Sequence, residues 1–171
     1  LPAARTHAAK LVTALGEPLT DPQGDITHLF PTAAAVAEHG RDVLTGPGAR
    51  VDAITEVSRA VAEGRLSLHP GMPAPDVRDA LLSQRGIGSW TADYVTMRLL
   101  NHPDILLSTD LVLKRSADDL GIDLSATKQW SPWRSYASMH LWAHALARTV
   151  PILAGETTTP TTLPTTRKQN R

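Results

Sequence analysis

Apolar residues recur at helical spacing along most of this chain, and Gly and Pro divide the runs. Ala3 to Leu15 is Ala-rich and stops at Gly16, while Thr32, just after Pro31, is placed to cap a short helix that ends near Gly40. Val51, Ile54, Val57 and Val61 line one side of a helix over about 49–62, which Gly64 closes. Three prolines and a glycine make 68–75 a loop. Asp76 to Gln84 and Trp90 to Leu100 read as helices joined by RGIGS, NHPD turns the chain again, and a helix over about 109–120 ends at Gly121. The last helix has the sharpest start, with Ser131 as cap and Pro132 in the first turn, and runs to about Arg148. Trp133, Tyr136, Ala137, Met139, Leu141, Ala143 and Leu146 form a wide apolar stripe along it, with Trp142 at the edge, so this helix is expected to be well buried. No two runs alternate as paired strands, and no repeat of solenoid period occurs. The pattern predicts an all-α fold: a helical domain over 1–150, then a Thr/Pro-rich stretch over 151–171 that has little to bury and reads as a disordered tail.

Composition narrows the chemistry. Lys plus Arg and Asp plus Glu number 17 each, so a nucleic-acid partner would have to be held by a local patch and not by overall charge. The absence of cysteine removes disulfides, thiolate nucleophiles, cysteine zinc sites and clusters held by four thiolates. No apolar run reaches membrane-spanning length, and LPAARTHAAK lacks the apolar core of a signal peptide. The chain opens at Leu1 without methionine and reads as helical by Ala3, which suggests a piece of something longer. His140 and His144 stand four apart on a helix, yet no third ligand or HExxH pattern accompanies them; they read as packing or surface residues, and no metal site built from side chains is expected. Asp93 is expected to orient its neighbours, and Asp118 and Asp119 to face solvent.

The segment RGIGSWTADY, residues 85–94, carries the sharpest signal. Two helices joined by G-x-G leave backbone N–H groups unpaired at the start of the second, where Gly86 and Gly88 offer no Cβ to keep an anion away. A tight turn alone would also use these glycines. A helix before the motif, in place of a strand, disfavours dinucleotide-binding and P-loop readings. Trp90 and Tyr94 share a helical face, and six of the seven aromatic residues lie within 90–94 or 130–142, as if two windows met across one cleft. Asp110, at a helix start after Ile105-Leu106-Leu107, could satisfy the helix dipole or act on a ligand.

DVRDALLSQRGIGSWTADYVTMRLL, DILLSTDLVLKR and WSPWRSYASMHLWAH together resemble the C-terminal part of the helix-hairpin-helix (HhH-GPD) DNA glycosylases, of the 3-methyladenine DNA glycosylase II (AlkA) type. The similarity runs over nearly all of 1–150, with three blocks in the family's order. It implies a helical glycosylase-like fold and a base-excision repair enzyme that flips out alkylated purines such as 3-methyladenine and 7-methylguanine and hydrolyses the N-glycosidic bond. By the resemblance, Asp110 is the catalytic carboxylate, Trp90, Tyr94 and Trp142 form the base pocket, and Arg85, Gly86, Ile87, Gly88 and Ser89 contact DNA. Electron-rich rings suit a purine made cationic by alkylation. Members that also cut the backbone carry a lysine where Trp90 stands, so the resemblance implies a monofunctional enzyme with water as nucleophile. It further implies no required cofactor, a monovalent cation on hairpin backbone carbonyls, double-stranded DNA with alkylated bases as partner, no membrane, a monomer, and a bacterial cytoplasm with its nucleoid as the location.

Three departures stand out. Arg85 replaces the usual proline before the glycines, Leu111 follows Asp110 where relatives often have an aromatic ring, and the chain opens inside the helix that follows the family's GQ-x-x-S segment, without the N-terminal β-rich domain. Weak activity of the chain by itself is the corresponding expectation. Two other readings compete. In a non-catalytic helix-hairpin-helix DNA-binding module, Arg85, Gly86, Gly88, Lys114 and Arg115 would hold phosphates while Asp110 only caps a helix; in an all-α adaptor, the aromatic cleft would receive a partner helix. Trp133 and Tyr136 read as core packing.

Overall fold

The computed structural model describes residues 2–149, so the tail expected over 151–171 lies outside the described residues. Among the described residues seven α-helices follow one another: α1 (Pro2–Leu15), α2 (Ala33–Val43), α3 (Gly48–Ala62), α4 (Ala74–Leu82), α5 (Ser89–Leu99), α6 (Leu111–Asp119) and α7 (Arg134–Thr149). A 3-10 stretch, Leu124–Trp130, precedes α7. The described residues are all-α apart from one small hairpin of strands. No helix among the described residues is long and apolar enough to cross a membrane.

Three apolar groups hold these helices. Leu11, Val36, Leu44 and Val51 join α1, α2 and α3. Val77, Leu81 and Ala92 join α4 to α5 across the glycine turn. Met97, Leu107, Leu113, Ala117 and Leu141 join α5, α6 and α7, with Tyr94 and Trp142 packed against them. The third group matters most for function, because it brings the starts of α5 and α6 to one side of α7.

Four expectations are corrected. Strands β1 (Pro18–Gln23) and β2 (Ile26–His28) pair antiparallel between α1 and α2. Both are mostly exposed, so neither carries the alternation that marks a half-buried strand. Helix α2 continues through Gly40 to Val43: Gly40 is buried, and a Cβ there would stand 3.1 Å from Val36 of the same helix and 3.4 Å from Thr55 of α3. Here glycine permits a close helix approach and does not end the helix.

The other two corrections concern α7. Ser131 does not cap α7; its hydroxyl donates to Asp104 Oδ2 (2.7 Å), the Ser131–Pro132 peptide is cis, and the helix begins at Arg134. The first amides of α7 are satisfied from another segment, Arg134 N on Asp104 Oδ1 and Ser135 N on the Pro103 carbonyl. Nor is most of the apolar stripe buried. Trp133 is 59% exposed and Tyr136 57%, and these two rings meet edge to face outside the core, whereas Ser135, Ser138 and Leu141 are buried. Hydrogen bonding chose that face over hydrophobicity.

Candidate active site

Residues 102–110 carry no regular structure, so their backbone polar groups need partners from elsewhere. Helix α7 supplies them. Ser135 Oγ donates to the His102 carbonyl (2.6 Å) and accepts from Ile105 N (2.9 Å), and Ser138 Oγ accepts from Leu107 N (3.3 Å). Arg134 closes the same junction with a forked ion pair to Asp104, Nε to Oδ1 at 2.6 Å and Nη2 to Oδ2 at 2.7 Å. This guanidinium bond, aided by Ser131, holds the Asp104 carboxyl well below the usual carboxylate range, and the same bond raises Arg134. The segment is thereby fixed along α7 and delivers Asp110 to the start of α6.

Asp110 is held through both oxygens. Oδ1 accepts from Leu113 N (2.8 Å), the N-cap bond of α6, and Oδ2 accepts from the indole N–H of Trp90 (2.8 Å). Trp90 stacks on Tyr94 with ring centroids 5.4 Å apart and planes 4° from parallel. Tyr94 in turn meets Trp142 edge-on at 5.9 Å. One connected group therefore contains Asp110, Trp90, Tyr94 and Trp142, drawn from two helices, α5 and α7, and the junction before α6. A base between two rings needs about 7–8 Å, twice an ordinary carbon–carbon contact of about 3.5–4.0 Å. Neither ring pair leaves that gap. Of the three rings Trp90 is the most open, at 40% exposed, and Leu111, next in sequence to Asp110, is 67% exposed.

The glycine turn lies at the start of α5. Gly86 takes φ +88°, and a Cβ there would stand 2.5 Å from the Ala53 Cβ of α3, so both backbone and space demand glycine. Gly88 has an ordinary φ of −93°, and a Cβ there would meet nothing within 4 Å. Its carbonyl accepts from Ala92 N, which leaves the amides of Ser89, Trp90 and Thr91 outside the helical ladder on an open surface. Ile87 packs inward, while Arg85 and Ser89 are exposed. Asp93 accepts from Arg78 Nε (2.6 Å) and braces α4 against α5. A groove of about 550 Å³ runs between α3 and this turn, lined by Ala49, Arg50, Ala53, Ile54, Gly86 and Thr91.

Lys114 and Arg115 are exposed on α6. Asp119 pairs with Arg148, so its solvent-facing carboxylate is not solitary. Asp104, Arg134, Ser135 and Ser138 escaped the sequence reading. Their one local signal is a pair of serines three apart inside an apolar stripe, the spacing of residues that share a helix face. No group of three or more metal-ligating side chains occurs among the described residues.

No protein-family model matches the chain. Over 146 residues it is 38% identical to the protein named "Probable bifunctional transcriptional activator/DNA repair enzyme AlkA" of Mycobacterium tuberculosis, an alignment covering 82% of this chain and 29% of that protein. Over 141 residues it is 30% identical to DNA-3-methyladenine glycosylase 2 of Escherichia coli, covering 78% of this chain and 49% of that protein. The chain thus spans less than half the length of these two curated relatives. Among solved structures, MBOgg1 in complex with a low affinity DNA ligand is similar with a TM-score of 0.71 at 20% identity, over 87% of this chain and 55% of that one. The 3-methyladenine DNA-glycosylase from Archaeoglobus fulgidus gives 0.64 at 19% identity, over 86% and 53%. At such identities these two likenesses concern the fold.

Proposed function

The chain belongs to the helix-hairpin-helix DNA glycosylases of the 3-methyladenine DNA glycosylase II (AlkA) type, and from that premise we propose that it releases alkylated purines, 3-methyladenine and 7-methylguanine, from double-stranded DNA by hydrolysing the N-glycosidic bond. The observation that carries this reading is the Asp110 carboxylate, held 2.8 Å from the Trp90 indole N–H at the edge of three touching aromatic rings. Phosphates of the duplex sit on the open amides at the start of α5, where Gly88 keeps the approach clear and Arg85 adds a cation. The hairpin also suits a monovalent cation, since the carbonyls of Arg85, Gly86 and Ile87 accept none of its backbone hydrogen bonds and hard oxygen donors fit such an ion.

A base turned out of the helix stacks on the outer side of Trp90. Alkylation makes the purine cationic, and an indole face attracts a cation by about 0.5–2 kcal/mol according to how far water is excluded. The same charge makes the base a good leaving group, so the protein's task is positioning and electrostatics. As the glycosidic bond stretches, positive charge grows on the deoxyribose, and the Asp110 carboxylate opposes it while orienting a water molecule for attack. Trp90 has no amine with which to form a Schiff base, so the product is an abasic site in an uncut strand.

One observation favours the binding-module reading: Asp110 does cap α6. The cap uses only Oδ1, however, and leaves the Trp90 bond to Oδ2 without a purpose. The test is incubation with methylated duplex DNA, for this chain and for an N-terminally extended form, with released bases and strand breaks counted separately. Free methylpurine with strands that break only after alkali is the expected result. Salt-sensitive DNA binding without any base release would replace this reading with the binding module.

A further inference from the structure

The hydrogen bond between Trp90 and Asp110 joins two residues twenty positions apart, and a stacking role for Trp90 does not require it. A carboxylate anchored at one oxygen still turns about its last side-chain torsion, because that torsion is broad in aspartate. The α6 cap supplies only one anchor, Leu113 N on Oδ1. The second anchor, the Trp90 Nε1 donor on Oδ2, fixes the plane of the group and leaves each oxygen one free acceptor site. The donor itself is held. The Trp90 ring lies flat on Tyr94, Tyr94 is held edge-on by Trp142, and Trp142 packs on the core that joins α5, α6 and α7.

We propose that Trp90 is the positioning residue of the site, its indole N–H setting the orientation of the Asp110 carboxylate while its ring face carries the base. The inference rests on the reading of Asp110 as the working carboxylate. Two functions thus occupy different atoms of one side chain, and a substitution can separate them. Trp90→Phe keeps an aromatic surface over Tyr94 and removes the donor; Trp90→Ala removes both.

Two measurements test this. In the 15N-labelled chain, the Trp90 indole N–H resonance, assigned by its disappearance in Trp90→Phe, is expected to move in Asp110→Ala and to exchange faster with solvent. This readout needs no turnover. In the extended form, single-turnover release of methylpurine is expected to fall in Trp90→Phe by up to about 10²-fold, the scale for a reacting group misplaced by about 1 Å, with duplex affinity unchanged. In Trp90→Ala, affinity for the damaged duplex falls as well. An indole resonance indifferent to Asp110→Ala, or Trp90→Phe releasing base at the wild-type rate where Asp110→Asn does not, overturns the positioning role and leaves the glycosylase reading intact. Absence of release by the wild-type protein itself would instead remove the reading on which the role depends, and the role with it.

Discussion

Gly86 and Gly88 look equivalent in RGIGS, yet the structure assigns them different work, and Gly86→Ala puts this to a quantitative test. At φ +88° an alanine pays roughly 1–2 kcal/mol for left-handed backbone. Its Cβ would also lie 2.5 Å from the Ala53 Cβ, more than 1 Å inside an ordinary contact, and overpacking of that kind costs about 1–3 kcal/mol. Alanine's smaller unfolded-state entropy returns about 0.4–1 kcal/mol, which leaves a loss of about 1–4.5 kcal/mol. Against a total of about 5–15 kcal/mol for a domain, this is a large fraction. Urea titration followed by tryptophan fluorescence should lower the midpoint with an unchanged slope. Adding Ala53→Gly should relieve only the contact part, so a double-mutant cycle should return a coupling of about 1–3 kcal/mol. Gly88→Ala should stay within about 1 kcal/mol of wild type, the N-cap preference for glycine over alanine being offset by unfolded-state entropy. A Gly86→Ala loss below about 0.5 kcal/mol, or no coupling to Ala53, would refute the account of how the hairpin sits on α3.

Three further outcomes follow from the junction before α6. Ser138 is fully buried and its Oγ serves Leu107 N, so Ser138→Ala should cost about 1–3 kcal/mol in the same titration by leaving that amide unpaired. Asp104 has a folded-state pKa below its unfolded value of about 3.9, so its stabilisation is complete above that pH and is lost as pH falls below it. Asp104→Asn should therefore be less stable than wild type at neutral pH, and the difference should narrow on titration from about pH 4 downward; an unchanging gap would refute the ion-pair account. Trp133→Ala should cost no more than about 1.5 kcal/mol, the worth of its contact with Tyr136, whereas Leu141→Ala should cost about 2–5 kcal/mol; equal losses would return Trp133 to the core.

Much of the site was legible because each part carries a local signature. A glycine pair between helical runs marks the hairpin, and aromatic residues four apart mark a shared face. That Trp90, Tyr94, Trp142 and Asp110 belong together came from the resemblance of three separated blocks, since no local pattern joins positions 90 and 110. The junction that positions Asp110 was not legible. Asp104, Ser135 and Ser138 act through long-range hydrogen bonds that satisfy an irregular backbone, and hydrophobic periodicity is blind to that requirement. The same blindness assigned the wrong face of α7 to the core. The strands β1 and β2 were missed for the complementary reason, that an exposed pair buries nothing and leaves no alternation in the sequence.

The central claim is that Asp110 acts on the glycosidic bond and does more than cap α6. Single-turnover release of 7-methylguanine from duplex DNA by wild type and Asp110→Asn, in the extended form and at matched duplex occupancy, tests it most directly. Asparagine keeps one oxygen, which can still cap Leu113 N, but carries no charge and turns an NH2 toward the Trp90 N–H, so folding and DNA binding should persist while release is lost. Release by Asp110→Asn at the wild-type rate would contradict the claim and reduce Asp110 to a helix cap.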